Sequence, residues 1–232
     1  MRIAFKIIFV LLSIPLIAGL VTALMPFVVS LGRFTTRDIL FLSGAAAGVV
    51  LYPLMRMRKF FRTFEHETTH MIAAKMCLAN MESMTISSSG NGQVSYTRES
   101  NFFIALAPYF LPLFALCFTI LAPLLHPKLS AYALVPAGFL LTHHLLASFE
   151  EAMVGQPDIH ESGRIFSIAF IGVFGLLIYG IIIAFAVGGL HGSLTFVKRT
   201  PVASWHFVSS WIPLAWHWIA HTAGSLAARV GK

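Results

Sequence analysis

Residues 66 to 70 read His66-Glu67-Thr68-Thr69-His70, an H-E-x-x-H pattern. On a helix, residues four apart share a face, with Cβ atoms about 5–6 Å apart. Two imidazoles at that spacing reach a single Zn²⁺ at about 2.0–2.1 Å. Glu67 lies one residue round, beside the metal's open position. There a carboxylate takes a proton from the attacking water and passes it to the leaving nitrogen. A catalytic zinc takes a third protein ligand. Asp158, within Gly155-Gln156-Pro157-Asp158-Ile159-His160-Glu161-Ser162-Gly163, is one candidate. Next to Pro157 it also suits the start of a helix. His143, His144 and His160 are its rivals. His143 and His144 lie in an apolar stretch, where one of them is available as a ligand or as a hydrogen-bond donor to a transition state. Being adjacent, they point different ways and would not share one job. Their bland alternative is a polar side chain satisfied by a neighbouring helix.

The elements that position these residues belong to a membrane protein. The chain has 232 residues, 57% hydrophobic and 11% charged, with a mean hydropathy of +0.82. Average soluble domains carry about 25% charged residues. The net charge of +7 comes from bases flanking apolar runs, as in loops that face the cytoplasm. No soluble basic face offers itself to nucleic acid. Cys77 and Cys117 sit in apolar stretches without CxxC spacing and read as small buried hydrophobes. The expected fold is an all-α polytopic membrane protein with about five to six transmembrane helices, at roughly 20 apolar residues each. The chain reads as a single integral membrane domain over residues 1–232.

The first span is Ile7–Leu31, too long for a signal peptide's apolar core, so it reads as a retained helix. Ile39–Met55 follows, rich in Gly and Ala and suited to close helix contact. Phe60 to Asn80 carries the motif and reads as a helix with charge in its first half. Phe102–Leu125 is apolar, with Pro108 and Pro112 as kink points. Ala131–Ala147 and Phe166–Val187 complete the set. A tail over residues 201–221, with Trp205, Trp211, Trp216 and Trp218, reads as an interfacial or short membrane helix. Met84, Ile86, Val94 and Tyr96 alternate with polar residues around Ser88-Ser89-Gly90-Asn91-Gly92, which marks a short β-hairpin after the motif helix. Arg2, Lys6 and the cluster from Arg56 to Arg62 ask for the cytoplasmic side. Ionisable groups among membrane spans are expensive, about 2.5–3.5 kcal/mol at a helix centre, and are functional candidates by default.

These features together resemble the site-2-protease family of intramembrane zinc metalloproteases. The motif continues as Met71-Ile72-Ala73-Ala74-Lys75, similar to the family's motif helix. A hairpin-like segment follows, where the family has a membrane-associated β element. Gln156-Pro157-Asp158 is similar to the family's Asn-Pro-Asp-Gly. The sequence departs in having Thr69 where the family usually has Gly, and no Gly directly after Asp158. The resemblance covers roughly residues 60 to 180. It implies one Zn²⁺ per chain held by His66, His70 and Asp158, with Glu67 as the general base. It implies a transmembrane protein or peptide as substrate, with lipid as surroundings; compact size and the absence of organelle signals favour a bacterial cytoplasmic membrane. The hairpin, through Met84, Ile86, Val94 and Tyr96, would hold an unwound substrate by strand addition. The alternatives are an inactive relative that binds zinc or a partner, and a small transporter or proton relay.

Overall fold

A computed structural model describes residues 3–55, 58–79, 81–86, 92–96, 101–154 and 157–230. Helix α1, Ile3–Leu31, is predominantly apolar, with Lys6 its one charged residue, and is followed by α2, Thr36–Leu51. The start of α2 is fixed by a reciprocal cap. Asp38 accepts from the Thr35 amide at 2.9 Å, and the Thr35 side chain accepts from the Asp38 amide at 3.3 Å. The motif helix α3, Arg58–Met76, leads into β1, Met81–Ile86, and β2, Gly92–Tyr96. Then come α4, Phe102–Phe110; α5, Leu113–Leu121; the short α6, Pro127–Ser130; α7, Leu134–Val154; α8, Pro157–Glu161; and the long α9, Arg164–Val230.

Close helix contact depends on glycine. Gly44 of α2 lies against the Val135 carbonyl of α7, and Gly138 of α7 lies against the Phe41 carbonyl of α2. A Cβ at either position would collide with backbone, so the Gly- and Ala-rich stretch of α2 is what lets α7 dock.

The predicted continuous span Phe102–Leu125 is instead two helices bent by 69°. The break falls at Pro112, not at Pro108, which sits inside α4. Pro112 has no N–H to give to the Pro108 carbonyl. Two neighbouring helices supply the missing donors. The Ser148 hydroxyl of α7 reaches the Pro108 carbonyl at 3.5 Å, and the Tyr179 hydroxyl of α9 donates to the Tyr109 carbonyl at 3.1 Å.

Helix α9 is also broken. Gly189 has φ +60° and ψ −152°, a conformation open to glycine. Beyond it the chain doubles back: Gly192 lies against the Ala184 carbonyl, and Ser193 Oγ donates to the Ile181 carbonyl at 3.0 Å. Arg37 caps the exposed end of the first limb, 164–188, through the Phe185 and Ala186 carbonyls at 2.8 and 3.0 Å. The second limb returns along α1, with Ser204 against Gly19. The tail at 201–221 is thus part of this limb rather than a separate helix.

The all-helical class holds, but the number of spans differs from expectation. Among the described residues three helices are long and apolar enough to cross a membrane: Ile3–Leu31, Thr36–Leu54 and Arg164–Pro213. The bent pair Phe102–Phe110 with Leu113–Leu124 makes a fourth if counted as one span. The expected span at 131–147 begins at Leu134 and extends to Val154, so it includes Glu150 and Glu151 beside His143 and His144. Those polar residues, like the motif on α3, dilute its hydropathy. The strands pair antiparallel, with Met84 opposite Val94 and Met81 opposite Tyr96. The expected turn at Ser88–Asn91 lies outside the described residues.

Candidate metal centre

Helix α3 places His66 and His70 on one face. Their rings stand edge to face with centroids 4.7 Å apart, and their Nε2 atoms are 3.0 Å apart. The short helix α8, opened by Pro157, brings Asp158 to the same point. Asp158 Oδ2 lies 3.8 Å from His66 Nε2 and 3.7 Å from His70 Nε2. Among the described residues this is the one group of three that could hold a metal ion, its ligand atoms all within 4.8 Å of one another.

The outer nitrogens of the two rings decide what the inner ones are. His70 Nδ1 is 2.9 Å from the Ile104 carbonyl, and His66 Nδ1 is 2.8 Å from Glu151 Oε2. A carbonyl and a carboxylate only accept, so both Nδ1 atoms carry the proton and donate. In neutral imidazoles both Nε2 atoms are then lone-pair acceptors, facing each other and a third acceptor on Asp158. Three converging lone pairs ask for a cation. Bonds of about 2.0–2.1 Å give a tetrahedron with edges of roughly 3.3 Å. The observed separations of 3.0, 3.7 and 3.8 Å bracket that edge. Two imidazoles and one carboxylate are a donor set suited to zinc.

The supporting shell comes from α7, α3, α4, α9 and α1. Glu151, near the end of α7, is buried and also faces Arg62 Nε at 3.3 Å. Arg62 in turn pairs with Glu150 at 2.9 Å. Helix α4 contributes twice. Its Ile104 carbonyl orients His70, and its Tyr109 hydroxyl donates to Asp158 Oδ2 at 3.4 Å, with the Tyr109 ring edge-on to His66. The α8–α9 turn is held by Ser167 Oγ on the Ile159 carbonyl at 2.9 Å and by Lys6 on the Ser162 carbonyl at 2.6 Å.

Glu67 lies on α3 beneath β2. A Cβ at Gly92 would stand 2.7 Å from Glu67 Cγ and 2.8 Å from Glu67 Oε1, so only glycine lets the strand pass this close. Helices α3 and α8 lie outside the candidate spans. Burial raises the Glu67 pKa, with His66 and His70 pulling against it. Burial acts in the same sense on Asp158, but the two imidazoles outweigh it and hold the carboxyl below the usual range. Burial lowers the His66 pKa, but Asp158 and Glu151 outweigh it and push it up to about 9. Asp158 and Glu151 thus favour a positive charge at this point, whether a proton on His66 or a metal ion in its place.

The sequence analysis singled out His66, Glu67, His70 and Asp158; the fold brings His66, His70 and Asp158 together, with Glu67 near enough to interact electrostatically with each. His143 and His144 go elsewhere. Their Nδ1 atoms face Glu65 at 3.6 and 3.4 Å, and neither belongs to the three-residue group. As rivals to Asp158 for the third ligand position they are therefore set aside. His160 is exposed on α8. Thr69, in place of the expected Gly, is fully buried, and its hydroxyl donates to the Glu65 carbonyl at 2.7 Å. Met84 and Ile86 are half-buried on β1. Val94 and Tyr96 are fixed here only by the register of their backbone. Sequence reasoning missed Glu151, Arg62 and Tyr109 as supports. The available signal was a pair of acids at the end of an apolar run and a base one turn before the motif.

The model of one protein family, described as Peptidase M50B-like, matches residues 39–155. The chain belongs to the peptidase M50B-like family. It is a site-2-protease family, so the family resemblance stands. The matched region of this M50B-like chain includes His66, Glu67, His70 and Glu151 and stops three residues short of Asp158, whose place in the site rests on the geometry above. No curated protein and no solved structure matches the chain.

Proposed function

We propose that this M50B-like chain is a zinc-dependent intramembrane endopeptidase that hydrolyses peptide bonds of transmembrane proteins or peptides. One observation carries the reading: three lone-pair acceptors, His66 Nε2, His70 Nε2 and Asp158 Oδ2, converge at near-tetrahedral separations, with the buried Glu67 carboxylate interacting with all three residues.

His66, His70 and Asp158 would hold the metal, which supplies Lewis acidity and makes water acidic enough to attack at neutral pH. Glu67 takes the proton of the attacking water on its carboxylate and returns it to the leaving amide nitrogen. Glu151 and the Ile104 carbonyl hold the two imidazoles with their Nε2 lone pairs inward. Tyr109 fixes one carboxylate oxygen of Asp158.

The two-stranded sheet supports a second part of the reading. A transmembrane helix is a poor substrate, because its carbonyls are occupied within the helix. An extended stretch of substrate added to the edge of a strand would have them free. Strand β2 passes directly over Glu67, so a segment held there lies next to the base. Met84, Ile86, Val94 and Tyr96 are the side chains proposed to grip it.

The test pairs metal analysis with cleavage in proteoliposomes, using transmembrane peptides that carry a helix-breaking residue. Wild type should bind one zinc per chain and cleave. His66→Ala and Asp158→Ala should lose the zinc. Glu67→Gln should keep it and lose at least a hundredfold in rate. A Glu67→Gln variant with full activity overturns the assigned base, and full zinc in Asp158→Ala overturns the third ligand.

A further inference from the structure

Helix α1 and the first limb of α9 begin at the same level. Lys6 Nζ reaches the Ser162 carbonyl at 2.6 Å and lies 5.7 Å from the centre of the Phe166 ring. Gly163, with φ +91°, turns the chain between α8 and α9 in a conformation that favours glycine. Both apolar runs start at this level, with Ile7 after Lys6 and Ile165 after Arg164. This is therefore where headgroups give way to acyl chains. Between the two helices runs an open groove of about 500 Å³, lined by Lys6, Ile7, Val10, Leu11, Ile165 and others. Ile7, Leu11 and Ile165 are 55%, 63% and 73% exposed, so the groove faces lipid along its length.

The mouth of the groove is cationic. Arg164 is exposed, and among the described residues no carboxylate pairs with Arg164 or Lys6, although Glu161 is exposed nearby on α8. Two like charges at one end of an apolar channel match one ligand chemistry, an anionic phosphate joined to hydrocarbon. We propose that this groove binds an anionic phospholipid, with its phosphate between Lys6 and Arg164 and one acyl chain along Ile7, Val10 and Leu11. The phosphate offsets the repulsion between the two bases and keeps Lys6 at the Ser162 carbonyl. That contact, with Ser167 on Ile159, holds the turn that carries Asp158. The lipid thus supports the Asp158 turn from outside the site. The assignment does not depend on the chain being a peptidase, and its test reads lipid rather than cleavage.

A basic residue at a membrane surface favours anionic lipid by about fivefold, so the pair gives about thirty-fold. The experiment is native mass spectrometry of the full chain equilibrated with equal amounts of phosphatidylglycerol and phosphatidylcholine bearing the same acyl chains. Wild type should retain phosphatidylglycerol about thirty-fold over phosphatidylcholine. Arg164→Gln, at an exposed side chain with no ion pair among the described residues, should cut that preference about fivefold. Leu11→Trp, which fills the groove, should lower retention of phosphatidylglycerol while leaving zinc content unchanged. Three results would overturn the proposal: equal retention of the two lipids by wild type, an unchanged preference in Arg164→Gln, or unchanged retention in Leu11→Trp. Displacement of phosphatidylglycerol by millimolar inorganic phosphate would assign the cations to free phosphate and overturn the lipid as well.

Discussion

Replacing Glu151 by Gln keeps the shape of the side chain and removes its charge. The carboxylate is buried and accepts from His66 Nδ1 at 2.8 Å, so it fixes the tautomer that turns Nε2 toward His70 and Asp158. An amide offers one weaker acceptor and one donor that opposes the imidazole N–H. Loss of such an outer partner costs about 10–100-fold in metal affinity, or about 1.4–2.8 kcal/mol. Glu150→Gln is the matched control. Glu150 pairs with the same Arg62, at 2.9 Å, but does not touch His66, and its side chain is 37% exposed. A partly exposed pair of that kind contributes about 1 kcal/mol to stability, and its loss leaves the imidazole in place. The assay is zinc affinity by chelator competition in detergent, with circular dichroism to confirm equal helix content. Glu151→Gln should weaken zinc binding at least tenfold, and Glu150→Gln less than threefold. Equal effects of the two substitutions would refute the argument, because the role of Glu151 would then be charge near Arg62 rather than orientation of His66.

Further outcomes follow from the same geometry. Gly92→Val puts a branched side chain where even a Cβ meets Thr63 and Glu67 atoms at 2.5–2.8 Å; cleavage should fall at least tenfold with zinc content unchanged, as measured on the proteoliposome substrates. Gly44→Val drives a side chain into the Val135 backbone, which cannot yield as a flexible side chain would; overpacking of this kind costs about 1–3 kcal/mol and should lower the thermal midpoint in detergent. Chelation should lower the thermal midpoint of wild type but not of His66→Ala, since a ligand that binds only the folded state stabilises it.

Local spacing made much of the site legible. His66 and His70 share a face because a helix repeats every 3.6 residues or so, and no tertiary contact is needed to know it. Glu67 follows from the same turn. Asp158 is 88 residues beyond His70 and was one of several candidates, since sequence shows that a carboxylate exists but not where a later turn carries it. His143 and His144 show the limit from the other side. Adjacent residues on α7 point where that helix's rotation sends them, and packing against α2 through Gly44 and Gly138 sends them to Glu65. The expected five to six spans are not confirmed: by length and composition three helices qualify among the described residues, or four with the bent pair, because the polar groups on α3 and α7 dilute the hydropathy of those helices.

What the sequence determined by itself is short-range: the motif helix, the apolar runs, the glycine-rich face of α2 and the bend near two prolines. Each follows from sterics and periodicity over a few residues. What only the tertiary structure decided is how these pieces converge. Pro112 breaks the apolar run so that α4 offers a carbonyl to His70 and a hydroxyl to Asp158, while α7 brings Glu151 to His66. Directional bonds between residues far apart in the chain exist only once packing has set the helices' rotation and depth, and no local pattern encodes those two quantities.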